Sequence, residues 1–287
     1  MIRLLGQLHA ADVLLCDVPP DTVELLRRSE RIEKTKLLAK LRSPLFIKFP
    51  LWDPEVFLSR TLPYVRPLFS RWCFFAWLAI VAWGVVTAGL HWDELTNNVV
   101  DRVFSAQNLL VLWLVYPLVK VLHEFSHGYA VRRFGGEVHE MGIMLLVLMP
   151  IPYVEASAAT SLRSKWQRAL TGGAGIMVEM LVAALALQVW VLLDPGLLRS
   201  VAFNIVLVGS VSTVLFNGNP LLRYDGYYVL MDWLEIPNLA QRSQQYLGYL
   251  AKRHLLGMKQ NEPPYLAPGE QGWLFSYSIA AFIYRFF

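Results

Sequence analysis

Four long stretches of the sequence consist almost entirely of apolar residues. They cover residues 72–90, 107–133, 169–193 and 201–222. A helix rises about 1.5 Å per residue, so about 20 apolar residues cross the hydrocarbon core of a bilayer. The third stretch is interrupted only by Glu179, whereas the second half of the second stretch holds Lys120, His123, Glu124 and His127. The pattern predicts an all-α polytopic membrane protein with four transmembrane helices.

Three further segments flank these stretches. Residues 141–154 are uncharged but short and contain Pro150 and Pro152. This is typical of a re-entrant hairpin, which we place within 138–158. Apolar and polar residues alternate over 236–256 and predict an amphipathic helix at the membrane interface. Residues 271–287 form the beginning of another apolar stretch, which we interpret as the start of a further transmembrane helix.

These elements divide the chain into five regions. The N-terminal region has a helix predicted over 21–41, followed by an extended approach to the membrane marked by Pro44, Pro50, Pro54, Pro63 and Pro67. Because the last stretch is too short to span, we expect the sequence to be a fragment or a truncated protein. The regions are a cytoplasmic N-terminal part (1–70), the first transmembrane helix (71–92), a three-helix core with the hairpin (105–228), a cytoplasmic or interfacial part (229–270) and the start of another span (271–287).

Composition and charge exclude several classes of protein. Of 287 residues, 55% are hydrophobic and only 17% are charged. A soluble globule of this size could not bury so many apolar side chains. Disordered chains have the opposite composition, with few apolar and many charged residues. Basic residues concentrate before the first span, while the loop after it carries Asp93, Glu94 and Asp101. This asymmetry predicts a cytoplasmic N-terminus and assigns the net charge of +4 to the membrane surface rather than to nucleic acid. We expect no cleaved signal peptide and no thiol chemistry at Cys16 or Cys73.

The polar residues of the second span form an H-E-x-x-H motif. His123 and His127 lie one helical turn apart, so that both imidazoles can reach a single ion, and Glu124 stands beside it as a general base. In a soluble chain such a motif is as easily a set of surface residues. Inside an apolar span, ionisable side chains are costly unless the protein uses them. We therefore predict a zinc site with Glu124 as the catalytic residue.

A zinc site of this kind needs a third protein ligand, and the end of the fourth span offers Asp225. The topology places His123 in the cytoplasmic third of the bilayer and Asp225 at the cytoplasmic end of its own span, so their depths agree. The alternative is an ordinary turn after a helix, with Asp225 in solvent, because Asn219-Pro220 and Asp225-Gly226 are common turn sequences.

The two motifs together resemble those of a known family. H-E-x-x-H in one span and N-x-x-P-x-x-x-x-D-G, from Asn217 to Gly226, near the end of a later one resemble the signature of site-2-protease-type intramembrane zinc metalloproteases. The strings FGGEVHEMGIMLLVLMPIPYVEASAA from Phe134 and FNGNPLLRYDGYY from Phe216 are similar to a bacterial branch of peptide zinc metalloproteases, often fused to an adaptor part of the HlyD type.

The resemblance implies a set of residue roles. His123, His127 and Asp225 are the implied ligands of Zn²⁺, and Glu124 is the implied general base. The implied supporting residues, for substrate or for the backbone beside the metal, are Asn217, Pro220 and Gly226. The wider family often has G-P-x-x-N in the intervening helix, where this sequence has TGGAGI from Thr171.

The expected function is hydrolysis of membrane-anchored proteins or peptides in the bacterial inner (cytoplasmic) membrane. Expected partners are that substrate, the lipid bilayer and an adaptor or exporter of a secretion system. Two alternatives remain open: a non-proteolytic membrane platform for peptide export, and an ion transporter that uses Lys120, Glu179 and the histidines. Glu179 itself is equally consistent with a functional group and with a packed carboxylic acid bonded to a neighbouring helix.

Overall fold

The computed structural model describes residues 46–146, 149–254, 257, 264 and 266–286. The helix predicted over 21–41, Cys16 and Pro44 lie outside these residues. The chain divides into a large unit, Lys48–Met144 with Met149–Phe287, and a small one, Met1–Ile47 with Leu145–Leu148. Of the small unit, the described residues are those at the ends of two strands, and every described helix belongs to the large unit.

The described residues form helices and three strands. The helices are α1 (Glu55–Val65), α2 (Arg71–Leu90), α3 (Trp92–Thr96), α4 (Val99–Phe104), α5 (Ala106–Arg133), α6 (Lys165–Leu192), α7 (Leu197–Val206, continued as a π-helix over Leu207–Asn217), α8 (Asp225–Leu234), α9 (Leu239–His254) and α10 (Glu270–Phe286). The strands are β1 (Phe46–Trp52), β2 (Met141–Leu146) and β3 (Met149–Val154), and short 3₁₀ turns cover Arg66–Phe69 and Ser157–Ser161.

Four helices are long and apolar enough to cross a membrane, namely α2, α5, α6 and α7. They confirm the four predicted spans within a few residues at each end. Large apolar side chains of α2 stay exposed, for example Trp72, Phe75 and Trp83, at 77%, 58% and 59%. Such a surface is unfavourable in water but suits lipid, since lipid contacts apolar side chains without cost. The architecture is therefore that of a mainly helical, multi-pass membrane protein.

The short apolar segment between α5 and α6 is a β-hairpin, and it belongs to a sheet with strand order β1-β2-β3. The described residues are mostly helical, as predicted, but this small sheet means that the fold is not all-α, and entry of the paired strands into the membrane stays a prediction. A short apolar run does not by itself distinguish strand from helix. Prolines at alternate positions, Pro150 and Pro152, remove N–H groups from one edge of β3 only, and the other edge remains free to pair with β2.

The approach to the first span is extended over β1, which contains Pro50, and helical from Glu55 onward, where the prediction of an extended segment was wrong. After β1, the side chain of Asp53 accepts a hydrogen bond from the backbone N–H of Glu55, at 2.9 Å, and α1 begins. Glu55 then bonds Arg132 and the N–H of Val138, both at 3.0 Å. Leu58 of α1 is fully buried in the same region. Prolines near a helix start are tolerated because the first N–H groups have no partner within the helix.

Helix α6 lies at the centre of the bundle and packs against α2, α5, α7 and α8. Its contact with α2 is close: a Cβ at Gly84 would lie 2.8 Å from Cβ of Ala184, so only glycine fits there. Helix α9 confirms the helix predicted over 236–256, although its place at a membrane interface stays a prediction. The same holds for α10, which is helical over the segment interpreted as a further span.

Candidate metal centre

Two histidines of α5 meet on the side of the helix that faces the bundle. His123 and His127 are 4% and 7% exposed, and their Nε2 atoms lie 3.1 Å apart. The helical repeat causes this, because residues four apart lie above one another on one face. Two buried imidazole nitrogens at this distance can both bind one metal ion.

Asp225 completes the group from another helix. It is the first residue of α8, and its Oδ2 lies 2.8 Å from Nε2 of His123 and 3.4 Å from Nε2 of His127. Gly226 allows this position: a Cβ there would lie 2.4 Å from the carbonyl oxygen of Gly218, so the loop folds directly against the start of α8. The structure thus brings together the three side chains that the sequence predicts as metal ligands.

The spacing of the three atoms fits a tetrahedral ion. Bonds of about 2.0–2.1 Å to nitrogen or oxygen place tetrahedral ligands about 3.3 Å from one another, close to the observed 2.8–3.4 Å. Nδ1 of His127 donates a hydrogen bond to the carbonyl of Thr171 at 2.7 Å, so its proton is on Nδ1 and the lone pair of Nε2 points towards the other ligand atoms. The residues present therefore fit a zinc ion.

Glu124 borders two cavities. One, of about 780 Å³, is also lined by His127, by Asp225 and by further residues of α8. The other, of about 330 Å³, is apolar and lies between α5 and the sheet. Oε2 of Glu124 accepts a hydrogen bond from the backbone N–H of Val154, at 3.0 Å. The end of β3 therefore fixes the carboxylate beside the predicted ligands.

One face of α6 forms the wall behind the histidines. Thr171, Gly175 and Glu179 are four residues apart and so lie on a single face. A Cβ at Gly175 would lie 2.3 Å from Cε1 of His123, so the bare backbone makes room for this ring. This wall was not predicted from the sequence, although the spacing of four residues from Thr171 to Gly175 and Glu179 was available as a signal.

Glu179 lies at the end of this wall and is fully buried. It forms an ion pair with Lys120 at 2.5 Å and faces Nδ1 of His123 at 3.1 Å. Glu179 is therefore bonded to neighbouring helices, as one of the two interpretations expects, and it also lies beside a predicted metal ligand, while a functional role stays a prediction. The carboxylates of Glu124, Glu179 and Asp225 and the ammonium of Lys120 leave two negative charges, which a divalent cation balances.

The predicted supporting residues lie around this group in different ways. Asn217 donates a hydrogen bond to Oε2 of Glu179 at 3.2 Å, and the carbonyl of Pro220 accepts one from Tyr277 at 3.2 Å. Contact of Asn217 or Pro220 with a substrate stays a prediction.

Comparison with known proteins gives one informative match. The chain is 24% identical over 165 residues to the protein named "Putative peptide zinc metalloprotease protein YydH" of Bacillus subtilis (strain 168). The matched part is 57% of this chain and 63% of that protein, so it spans less than two thirds of the relative. No family model and no solved structure matches the chain. The chain is thus a distant homologue of a protein whose name designates a zinc metalloprotease.

Proposed function

We propose that the protein is an intramembrane zinc metallopeptidase of the site-2-protease type, which hydrolyses membrane-anchored proteins or peptides. One observation carries the proposal: His123, His127 and Asp225 converge to within 4.8 Å of one another inside the apolar bundle, beside the carboxylate of Glu124. The distant relative, named as a zinc metalloprotease, supports the same chemistry. The proposal places the protein in a bacterial inner membrane with a cytoplasmic N-terminus.

In the proposed mechanism His123, His127 and Asp225 would hold Zn²⁺ at the wall of the large cavity. The ion, when bound, acidifies a water molecule and polarises a peptide carbonyl. Glu124 would take a proton from the attacking water as its oxygen bonds to the carbonyl carbon of the peptide, and would return that proton to the nitrogen as the C–N bond breaks. The N–H of Val154 keeps the carboxylate of Glu124 in place during both transfers.

The peptide must arrive unwound, because the carbonyls of an intact helix are engaged in hydrogen bonds. The edge of β3 is the proposed place where it pairs. The N–H of Glu155 bonds back to Glu140, on the side of β2, while that of Val154 points to Glu124. Backbone N–H and C=O groups alternate between the two edges of a strand, so the backbone groups of Pro150 and Pro152 point to the same edge as those of Val154. Proline has no N–H, so both residues offer only carbonyl acceptors there. The peptide therefore donates its N–H groups to this edge.

The apolar cavity of about 330 Å³ supports a hydrophobic substrate. It extends from Glu124 to Trp52, Phe125 and Ile143 and reaches the prolines of β3. A side chain of the bound peptide can occupy this cavity while its backbone passes Glu124. We therefore expect large apolar residues next to the cleaved bond.

The direct test uses purified protein in proteoliposomes with a membrane-anchored peptide. Zinc content and cleavage are measured in the same sample for the wild type and for Glu124→Gln. The proposal predicts that the variant retains zinc and loses cleavage. A wild type that binds zinc stoichiometrically but cleaves no membrane-anchored peptide contradicts the protease and leaves a non-proteolytic platform for peptide export. For such a platform, Glu124→Gln preserves export in the cell.

A further inference from the structure

Glu179 has more partners than the proposed mechanism uses. Its Oε1 accepts a hydrogen bond from Nζ of Lys120 at 2.5 Å and faces Nδ1 of His123 at 3.1 Å. Its Oε2 accepts hydrogen bonds from the hydroxyl of Thr213 and from Nδ2 of Asn217, the latter at 3.2 Å. Four side chains from α5 and α7 thus surround one carboxylate of α6.

A buried ion pair in this position contributes little net free energy to the packing of the helices. Removing a carboxylate and an ammonium from water costs several kcal/mol for each ion, and their attraction only just compensates for that cost. Inside a membrane, ionisable residues are therefore expected to have a function. The same bundle joins α5 to α7 by a neutral pair, Asn108 with Asn204, which shows that helix contact here does not require charge.

We infer that Glu179 is a positioning residue for the metal centre, an inference that rests on the proposed zinc site. Nδ1 of His123 is buried without a well-aligned hydrogen-bond partner among the described residues, and Oε1 of Glu179, 3.1 Å away, is positioned to accept its proton, so that Nε2 presents a lone pair to the metal. A carboxylate on the second nitrogen of a metal-binding histidine has this effect and also makes the histidine a stronger ligand.

The other partners fix Glu179 itself. Thr213 and Asn217 hold the carboxylate oxygen that faces away from His123, so the oxygen facing the ring stays in place. Lys120 neutralises the carboxylate; without it, the group of three carboxylates carries three negative charges instead of two. Thr213 is fully buried in the π-helical part of α7, and π-helical segments often occur at functional sites.

The test measures zinc affinity and ligand geometry rather than proteolysis. The dissociation constant for Zn²⁺ is obtained by competition with a chelator, and the visible absorption of the Co²⁺-substituted protein reports the geometry around the ion. Glu179→Gln is expected to weaken zinc binding by about 10- to 100-fold, as removal of such outer partners does, and to change the cobalt spectrum. Gln188→Leu, on the same helix but paired with Thr87 of α2, is the control and leaves both unchanged.

A double variant separates positioning from stability. Lys120→Met with Glu179→Met removes both charges, so it leaves no buried ion without a partner and regains the thermal stability that Glu179→Gln loses. Weak zinc binding in this double variant is the expected result. Wild-type zinc affinity and cobalt spectrum in the double variant overturn the inference and reduce Glu179 to a packing residue.

A third variant covers the case in which the charge changes prevent folding. Thr213→Val preserves every charge and removes one hydrogen bond to Glu179, and we expect weaker zinc binding and a shifted cobalt spectrum in the same direction. An unchanged spectrum and affinity in this variant count against the inference. A wild type that binds no zinc refutes the proposed zinc site instead.

Discussion

Helix α5 carries two buried polar groups that differ in one respect. Near its start, Asn108 exchanges hydrogen bonds with Asn204 of α7, at 2.7 and 3.2 Å, and both side chains are buried. In its second half, His123 and its neighbours form a charged group around Asp225. The first group satisfies itself with two neutral amides, whereas the second carries net negative charge and brings three possible metal-ligand atoms within 4.8 Å of one another.

The difference shows how to separate helix contact from chemistry in an apolar bundle. A pair of amides can donate and accept in both directions, so it completes its own hydrogen bonds. Nδ1 of His127 donates to the carbonyl of Thr171, so Nε2 of His127 offers a lone pair to the other ligand atoms. A divalent cation would balance the net negative charge of the second group, whereas the neutral pair is complete as it stands.

The largest expected effect comes from removing the base. Glu124→Gln preserves shape and the acceptor for the N–H of Val154 but cannot take a proton. Cleavage is expected to fall by about 10²–10⁴-fold, the usual contribution of a general base, with no loss of zinc. Rates on a membrane-anchored peptide, with zinc content measured in parallel, check this. Residual cleavage near the wild-type rate would assign the base to another group.

The next effect concerns the third ligand. Asp225→Asn replaces a charged ligand by a neutral amide. Loss of a residue that only hydrogen-bonds to a ligand weakens metal binding by about 10- to 100-fold, and we expect a larger loss of zinc affinity for Asp225→Asn. Asp232→Asn is the matched control: it lies on the same helix, lines the same cavity and pairs with Arg168 instead of the histidines. Equal zinc affinities of the two variants would remove Asp225 from the metal site.

A smaller effect is expected from crowding the ring of His123. In Gly175→Ala the new methyl group collides with the imidazole and displaces it, which costs about 1–3 kcal/mol in a packed interior and weakens zinc binding. Gly173→Ala provides the comparison, since its Cβ would meet only Val229, at 3.8 Å. Chelator competition should show weaker binding for the first variant only.

The smallest effect on chemistry is expected at the neutral pair. Asn204→Leu leaves Asn108 without its partner, so thermal stability should fall by an amount equivalent to about 1–3 kcal/mol. Replacing both asparagines by leucine should restore much of this loss. Zinc affinity and cleavage stay at the wild-type level in either variant. Loss of zinc from the double variant would show that the two polar groups depend on each other.

Much of the site could be predicted from the sequence because its signals are local. His123 and His127 are related by one helical turn, and Asp225 follows from the depth at which two spans end. The partners of Glu179 could not be predicted, since Lys120 and Thr213 come from different helices and no pattern gives the rotation of each helix. The alternation of Pro150 and Pro152 was visible, but an apolar run of this length predicts strand and helix equally.

The central claim is tested most directly by the metal content of the purified protein, compared with that of His123→Ala. The wild type, loaded with zinc and freed of excess ion, is expected to contain one zinc per chain. His123→Ala is expected to contain none, while Asn204→Leu contains as much as the wild type. Equal zinc in the wild type and in His123→Ala would contradict the account, because it would place the ion away from the charged group of α5.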